Sequence, residues 1–262
     1  MEYQITYACL SHIGRRRRMN QDNFLCGGIY ARPDAPQGSR VPVTGAVLSG
    51  QSSLFGVFDG MGGEERGEAA SYLAAETAFR TPRTGTPRQT LETICCGANK
   101  AICNFAAQNG LGTCGTTAAM LLTDKNGVEL CNLGDSKIFR LTGGEMTQIS
   151  QDHLSIAPFG QKAPLSQFLG IPPEELVLCP YYASLPYAAG DRYLLCSDGL
   201  TDMVPQQQIA RILKEHPPEH AAQLLLQNAL DNGGKDNVTI LVLEVEKQRQ
   251  TPGLWDKIRR LF

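Results

Sequence analysis

The sequence predicts an α+β fold in which antiparallel strands are layered beneath pairs of helices. Strand-like segments come in consecutive groups, and helical patterns come in two pairs, one near the middle of the chain and one near its end. A doubly wound parallel sheet requires regular alternation of strands and helices, which this sequence lacks. The length of 262 residues is enough for one large domain or two small ones.

Eight segments have the β-branched and aromatic content, and the Gly, Asp or Asn boundaries, that are typical of strands. They are Gln4–Leu10, Asp22–Cys26, Leu54–Phe58, Thr116–Leu122, Val128–Leu133, Lys137–Leu141, Tyr193–Ser197 and Val238–Val245. Between the second and third of these, Ala31–Gly50 is rich in Pro, Gly and Ser. We therefore expect this segment to form an exposed extension of a hairpin.

Four segments have helical patterns. They are Glu64–Phe79, Arg88–Ala107, Pro205–Lys214 and Glu219–Leu230. The first begins with two acidic residues, which favour a helix N-terminus. The second places apolar residues on one face at i, i+3 and i+4 spacing, and the third begins with a proline that suits the first helical turn.

The charge balance and the hydropathy exclude several classes of protein. The chain has 24 Lys and Arg residues against 26 Asp and Glu, a formal net charge of −2, which argues against a nucleic-acid binder. We expect the basic run Arg15–Arg18 to be solvated or to line a site. No apolar stretch reaches the length of a membrane span, and the N-terminus lacks a secretory signal. The sequence therefore predicts a cytoplasmic protein without a membrane span.

The pattern predicts one domain in residues 1–246, followed by a linker and a short amphipathic tail in residues 247–262. In the tail, Thr251–Phe262 combines apolar with basic residues. Two interpretations stay open for it: a terminal segment that packs on its own domain or is mobile, and a helix that touches an anionic membrane surface.

Acidic residues beside the predicted strands are the most informative feature of the sequence. They occur in the motifs Asn20–Asp22, Phe58–Gly63, Leu133–Ser136, Cys196–Gly199 and Lys235–Asn237. A single Asp-Gly pair is typical of a turn, but aspartates at several strand ends can project into one cleft. Converging carboxylates repel one another, and hard divalent cations relieve that repulsion, so we expect Mg²⁺ or Mn²⁺ there.

Two ions close together also repel each other, and a carboxylate that bridges them offsets this repulsion. Asp59 is best placed for that role. Gly60, which follows it, leaves its own carbonyl accessible as a further oxygen ligand, because it has no side chain to crowd the approach.

Six short motifs occur in a fixed order along the chain. They are Arg-x-x-Asn-Gln-Asp (17–22), Asp-Gly-Met-Gly-Gly (59–63), Gly-Thr-Thr-Ala (115–118), Gly-Asp-Ser-Lys (134–137), Ser-Asp-Gly-Leu-x-Asp (197–202) and Asp-Asn-Val-Thr (236–239). Over about residues 3–245, this order and spacing resembles the bacterial branch of the metal-dependent protein phosphatase 2C family.

The resemblance implies a four-layer αββα sandwich, in which two antiparallel sheets are flanked by helix pairs. It also implies hydrolysis of phosphoserine and phosphothreonine in proteins by a water activated between two divalent metals. The expected cofactors are two, or with a further site three, Mn²⁺ or Mg²⁺ ions. The expected partners are phosphorylated proteins, opposite a serine/threonine kinase, and the expected state is a monomer.

The resemblance assigns metal-binding roles residue by residue. Asp59 would bridge two ions, with Asp198 and Asp236 completing the first ion and the Gly60 carbonyl the second. Asp22 would hold water molecules bound to the metals.

Further residues follow from the same motifs. Asp135, with Asp198, would bind a possible third metal, and Arg17 would grip the substrate phosphate by a bidentate, charge-assisted contact. Asp202 and Asn237 would support the site.

The sequence departs from the family pattern at three places. Met61 stands where many eukaryotic members have a proton-donating histidine, so the general acid is unassigned, and Gln21 replaces a glutamate found in many members. The segment Asp152–Cys179, which corresponds to the flap over the site, is short. Substrate selectivity is therefore the property that the resemblance transfers least.

Other functions stay open. One is a non-catalytic phosphoprotein-binding module of the same fold, although such a module should have lost the metal ligands that are present here. Others are a phosphatase of small phosphoesters and a phosphatase of an anti-sigma-factor regulator, because the metal site would look the same in each.

Overall fold

Two antiparallel sheets packed face to face, with helices on their outer faces, make up the fold. The computed structural model describes residues 2–34, 36, 38, 42–61, 66–157 and 163–248. The layered α+β prediction is confirmed. Among the described residues, no helix is long and apolar enough to cross a lipid bilayer.

The strands in chain order are β1 Tyr3–His12, β2 Asp22–Leu25, β3 Val43–Leu48, β4 Ser53–Met61, β5 Gly115–Thr116, β6 Ala118–Thr123, β7 Val128–Leu133, β8 Lys137–Thr142, β9 Glu145–Gln148, β10 Tyr181–Leu185, β11 Arg192–Cys196 and β12 Val238–Lys247. The first sheet has the order β3-β1-β12-β11-β8-β9, and the second has the order β10-β7-β6-β4-β2, with β5 paired to β4. β1 and β12 are hydrogen-bonded neighbours over their whole length, so the two ends of the described chain share the middle of one sheet.

The helices are α1 Gly67–Arg80, α2 Pro87–Asn109, α3 Asp198–Thr201, α4 Gln206–Glu215 and α5 Pro218–Asp231. α1 and α2 pack on the second sheet, and α4 and α5 pack on the first. The start of α2 is fixed by a capping box, in which Thr86 and Gln89 satisfy each other's backbone N–H groups.

Side-chain alternation explains why each sheet is buried on both faces. Along β4, Phe55 and Val57 belong to the core between the sheets, whereas Leu54 and Phe58 pack against the α1–α2 layer. Burying each such side chain stabilises the fold by about 1.5–3 kcal/mol. A residue's parity in its strand therefore decides whether its side chain points between the sheets or towards the helices.

The expectation of an exposed extension at Ala31–Gly50 is wrong for its last part. Val43–Leu48 forms β3, an edge strand paired with β1 in the other sheet. The Pro and Gly residues around this short strand favoured a loop. Three of its six residues are exposed and none is fully buried, so the apolar pattern of its two valines was weak. The strands β9 and β10 and the short helix α3 were also not predicted, and the predicted strand Thr116–Leu122 is divided into β5 and β6.

The boundaries of the other elements lie close to the predicted ones. Helix α1 begins at Gly67, and the predicted start at Glu64 lies outside the described residues. Strand β12 ends at Lys247, one residue beyond the predicted domain boundary at 246. The predicted tail, 251–262, also lies outside the described residues.

Candidate active site

Four aspartates from separate segments line a cavity of about 330 Å³, which we name the carboxylate cavity. Its lining residues are Arg17, Gln21, Asp59, Gly60, Met61, Thr117, Asp135, Ala163, Pro164, Leu165, Asp198, Asp236 and Asn237. All the site residues predicted from the sequence, except Asp22 and Asp202, are among them. The fold therefore brings together acids that are far apart in sequence: Asp59 and Asp236 are 177 positions apart.

Asp22 nevertheless lies next to this cavity, because it is directly opposite Asp59 in the antiparallel pair of β2 and β4. Side chains at opposed positions lie on one face, with Cβ atoms about 4.5–5.5 Å apart. Phe24 and Val57 have the same parity and face the first sheet, so both carboxylates point between the sheets. Two like charges in such a pair destabilise it unless a proton or a cation intervenes.

Two hydroxyls from the opposite sheet hold Asp22. Ser197 Oγ and Thr239 Oγ1 each donate a hydrogen bond of 2.7 Å to Asp22 Oδ2. The other oxygen, Asp22 Oδ1, is buried and has no hydrogen-bond partner among the described residues. One carboxylate oxygen thus ties the two sheets together, while the other is left for a donor or a cation.

Burial raises the pKa of both opposed carboxyls. For Asp22, burial first, and then the charges of Asp198 and Asp236, raise the pKa from 3.8 to about 7, although the two hydroxyls act in the opposite direction. For Asp59, burial and then the neighbouring carboxylates, Asp22 foremost, raise the pKa well above its ordinary value. The fold therefore carries an electrostatic cost here near neutral pH.

We expect the metal-free protein to lose stability as these carboxyls ionise. A folded-state pKa above the unfolded value means that the folded protein binds the proton more tightly, so the stabilisation is complete below about pH 4 and is lost as the pH rises through about 7. An Asp22→Asn variant lacks the part of this dependence that comes from Asp22. Its stability relative to wild type should rise by up to about 4 kcal/mol between about pH 4 and pH 8 in urea unfolding with EDTA.

The exposed carboxylate of Glu145, on β9, provides the control. Glu145→Gln should have the same pH dependence as wild type. A difference between Asp22→Asn and wild type that stayed constant with pH would contradict the raised pKa, because the new amide's lost hydrogen bonds are independent of pH in this range.

Close backbone packing at two glycines brings the acidic motifs together. A Cβ on Gly199 would lie 1.9 Å from the backbone O of Asn237, so only glycine lets the segments of Asp198 and Asp236 approach this closely. A Cβ on Gly60 would likewise lie 2.2 Å from Gly67 O. The N–H of Gly60 donates to Gln21 O at 3.1 Å, which holds the Asp59 segment against the segment of Asp22.

The segment from Arg17 to Gln21 is hydrogen-bonded to Asp236 and Asn237, near the C-terminal end of the described chain. Arg17 Nη2 donates to Asp236 Oδ2 at 2.6 Å, and this hydrogen bond, with the nearby Asp59 and Asp198 charges, raises the pKa of Arg17. Asn237 accepts from Gln21 N at 2.8 Å and donates to the carbonyl of Met19 at 3.0 Å. Arg17 thus lies at the cavity through its contact with Asp236, and Asn237 bonds to the backbone of the residues that follow it, Met19 and Gln21.

Asp135 reaches the cavity from the turn between β7 and β8. Gly134 has φ +98°, and a Cβ there would lie 2.6 Å from Thr117 Cγ2. Thr117 in turn accepts from Asp59 N at 2.9 Å and is 2.6 Å from Ser136 Oγ. One hydroxyl therefore links the Asp59 segment to the Asp135 segment.

Asp202 lies apart from the carboxylate cavity. It lines a neighbouring cavity with Gly199, Met203, Lys235 and Asp236, and its N–H donates to Asp198 O at 2.8 Å. Asp202 therefore contacts the Asp198 segment, and the cavity that it lines shares Asp236 with the carboxylate cavity.

The flap contributes apolar lining. Ala163, Pro164 and Leu165 line the carboxylate cavity, and the backbone bonds Ser155 N to Pro164 O (2.8 Å) and Ser166 N to His153 O (2.9 Å) close the base of the flap. Residues 158–162 of the flap lie outside the described residues.

Three hydroxyl residues of the site were not predicted: Thr117, Ser197 and Thr239. Each belongs to a motif quoted above, and Ser197 and Thr239 have the strand parity of Leu195 and Leu241, which face the other sheet. The alternation of side chains at the strand ends could have predicted that these hydroxyls face the other sheet. Their partners could be predicted only from the register of the two sheets.

The carboxylate cavity fits hard divalent cations by its chemistry. Its donors are carboxylate and carbonyl oxygens, which Mg²⁺ and Mn²⁺ prefer, and Asp22 Oδ1 beside it has no protein partner among the described residues. In the described part of the chain, no three His, Cys, Asp or Glu side chains form a ready-made ligand set. Binding would therefore involve rotation of side chains, with Asp236 exchanging its contact to Arg17.

Comparison with known proteins agrees with this geometry. The family profile described as Protein phosphatase 2C matches residues 43–230. The serine/threonine phosphatase stp of Listeria innocua is 28% identical over 251 residues, which cover 88% of this chain and 92% of that protein. The serine/threonine protein phosphatase PstP of Mycobacterium tuberculosis is 31% identical over 206 residues, which cover 73% of this chain and 40% of that protein.

A solved structure of the PstP catalytic domain, in complex with two manganese ions, superposes with a TM-score of 0.75 at 29% identity, covering 94% of this chain and 100% of that one. The chain therefore belongs to the protein phosphatase 2C family of serine/threonine phosphatases.

Proposed function

We propose that the chain hydrolyses phosphoserine and phosphothreonine in proteins, with water activated between two divalent metals in the carboxylate cavity. The observation that carries this proposal is the convergence of Asp59, Asp135, Asp198 and Asp236 with a single arginine, Arg17, around one cavity. Such a negative cavity excludes a phosphate unless cations neutralise it, so the metals and the substrate belong together.

The residues that would hold the metals are those expected from the family pattern. Asp59 would bridge the two ions, Asp198 and Asp236 would bind the first, and the Gly60 carbonyl the second. Asp22 would hold the water around them through Oδ1, and Asp135 with Asp198 offers a third site. When bound, these ions lower the pKa of water and place positive charge beside the phosphoryl oxygens.

The other residues bind and position. Arg17, released from Asp236 by a bound cation, would donate two N–H groups to the substrate phosphate. Asn237 fixes the backbone of the same segment through Gln21 and Met19. Met61 lines the cavity but has no proton to give, so the leaving alkoxide would take its proton from water.

We further propose that the chain is a monomeric, cytoplasmic enzyme that acts opposite a serine/threonine kinase, with its catalytic domain in residues 1–246 and a tail in residues 247–262. The similarity to named serine/threonine phosphatases supports a phosphoprotein substrate over a small phosphoester. The retained aspartates favour an enzyme over a binding module that lacks catalysis.

Metal dependence is the direct test. After treatment with EDTA and desalting, hydrolysis of a phosphothreonine peptide and of p-nitrophenyl phosphate should fall to background. Addition of Mn²⁺ or Mg²⁺ should restore both activities and raise Tm, because a ligand that binds the folded state stabilises it.

Undiminished hydrolysis in the presence of chelator would refute the proposed mechanism. Peptide binding without turnover in Mn²⁺ would favour the binding module. Hydrolysis of small phosphoesters but of no phosphopeptide would favour the small-molecule phosphatase.

A further inference from the structure

A second cavity, of about 470 Å³, opens on the other side of the segment that carries Arg17 and Gln21. We name it the flanking cavity. Asn20 and Asp22 line it, whereas Arg17 and Gln21 of the same segment line the carboxylate cavity. One stretch of backbone therefore separates the two cavities, and a bound chain could occupy both.

The walls of the flanking cavity are largely apolar. They include side chains from the segment before β2, from the segment after it and from α1 and α2: Met19, Pro33, Tyr72, Leu73 and Phe105. A pocket of this kind binds an apolar side chain by removing it from water.

Two guanidinium groups also line the flanking cavity, those of Arg32 and Arg66. Arg32 is exposed and forms no ion pair with any residue that the structure describes. Arg66 pairs with Glu68 at 2.9 Å and lies 5.6 Å from the centroid of the Phe105 ring. A bound carboxylate would therefore find its counter-charge chiefly at Arg32.

The backbone of Arg66 is unusual. Its φ of 68° makes it a non-glycine residue in the left-handed region, and within the described chain it is alone in this. This backbone conformation destabilises the folded state by about 1–2 kcal/mol. The strained residue is one whose side chain lines the cavity. Strain of this kind is concentrated at functional sites.

The exposed charges of the two cavities differ. Carboxylates crowd the first, whereas two carboxylates, Asp22 and Glu68, line the second together with Arg32 and Arg66. Glu68 pairs with Arg66, and Asp22 is buried and hydrogen-bonded to two hydroxyls, so the charge left exposed in the second cavity is that of Arg32. An acidic side chain of a substrate is repelled by the first cavity and attracted by the second, which gives a bound chain a preferred direction.

We propose that the flanking cavity binds the part of the substrate next to the phosphorylated residue, and that it selects an apolar side chain accompanied by an acidic one. This inference rests on the proposed phosphoprotein phosphatase activity. The acidic side chain pairs with Arg32, and the apolar one packs against Tyr72 and Phe105. Because one stretch of backbone separates the two cavities, the selected side chains belong to residues close in sequence to the phosphorylated one.

A set of phosphothreonine peptides tests the inference. Each peptide carries Glu, Gln or Lys at one position two to four residues from the phosphothreonine, and Leu or Asn next to that varied residue. The kcat/KM of each peptide is measured with Mn²⁺. Wild type should prefer Glu over Gln by about three- to fivefold at low salt, and high salt should reduce this preference. Replacement of Leu by Asn should lower kcat/KM.

The variant Arg32→Glu should reverse the preference, so that the Lys peptide becomes the better substrate. Lys125→Glu, on the distant turn between β6 and β7, changes the net charge equally and should leave the preference as in wild type. Hydrolysis of p-nitrophenyl phosphate should be the same in all three proteins, because this substrate is too small to reach the flanking cavity.

Two results separate the possible failures. If Arg32→Glu keeps the wild-type preference while all three proteins hydrolyse p-nitrophenyl phosphate normally, the flanking cavity does not select the substrate. If wild type hydrolyses neither the peptides nor p-nitrophenyl phosphate with Mn²⁺, the proposed function itself is wrong and this inference is lost with it.

Discussion

The Asp59→Asn protein is expected to be inactive and, without metal, more stable than wild type. The amide has nearly the same shape as the carboxylate, and the backbone stays fixed by the bonds between Asp59 and Thr117. The substitution removes the charge that would bridge two metals, so kcat should fall by at least about 10³-fold, equivalent to about 4 kcal/mol of transition-state stabilisation.

The same substitution relieves the repulsion between Asp59 and its opposite residue, Asp22. In EDTA near pH 7.5, Tm should therefore rise by about 3–6 °C, as expected for one to two kcal/mol in a chain of this size. Added Mn²⁺ should raise the Tm of wild type but leave that of the variant almost unchanged.

Glu145→Gln, an exposed carboxylate-to-amide change, should match wild type in both measurements. A near-normal kcat for Asp59→Asn would remove this residue from the metal site. A lower Tm in EDTA would contradict the electrostatic cost that the opposed pair implies.

Gly199→Ala is expected to damage the site more than alanine at any other glycine that the structure describes. The new Cβ would lie 1.9 Å from Asn237 O, a backbone atom that cannot rotate away. The segments of Asp198 and Asp236 must then separate, so kcat/KM should fall by at least about 100-fold and Tm by about 5–10 °C, the latter from an overpacking cost of about 2–3 kcal/mol.

Gly50→Ala serves as the matched control for this change. A Cβ at Gly50 would lie 3.2 Å from Glu2 Oε1, the end of a flexible side chain that can move. The control should retain wild-type kcat/KM and Tm. Wild-type values for Gly199→Ala would mean that the close approach of the two acidic segments is not required for catalysis.

The layered fold could be predicted because the strand and helix patterns depend on local sequence. Paired helices and grouped strands are visible in periodicity, and the aspartates mark strand ends. β3 could not be predicted in the same way, because none of its residues is fully buried and its pairing with β1 is a tertiary contact.

For the site, the acidic motifs predicted which carboxylates gather, and the structure places Asp59, Asp135, Asp198 and Asp236 around one cavity. The position of Asp202 in a neighbouring cavity was not visible from its motif. Contacts across the sheets, such as Ser197 with Asp22, depend on the register of strands far apart in sequence, and no local pattern encodes that register.

The pairing of β1 with β12 has a consequence for biosynthesis. During translation, the first strand leaves the ribosome long before its partner is made. The segment of Met19 and Gln21 likewise emerges long before Asn237, to which it is hydrogen-bonded. A nascent chain therefore lacks the complete carboxylate cavity until Asp236 and β12 have emerged, so we expect no activity, even with metal present, before residues up to Lys247 are outside the ribosome.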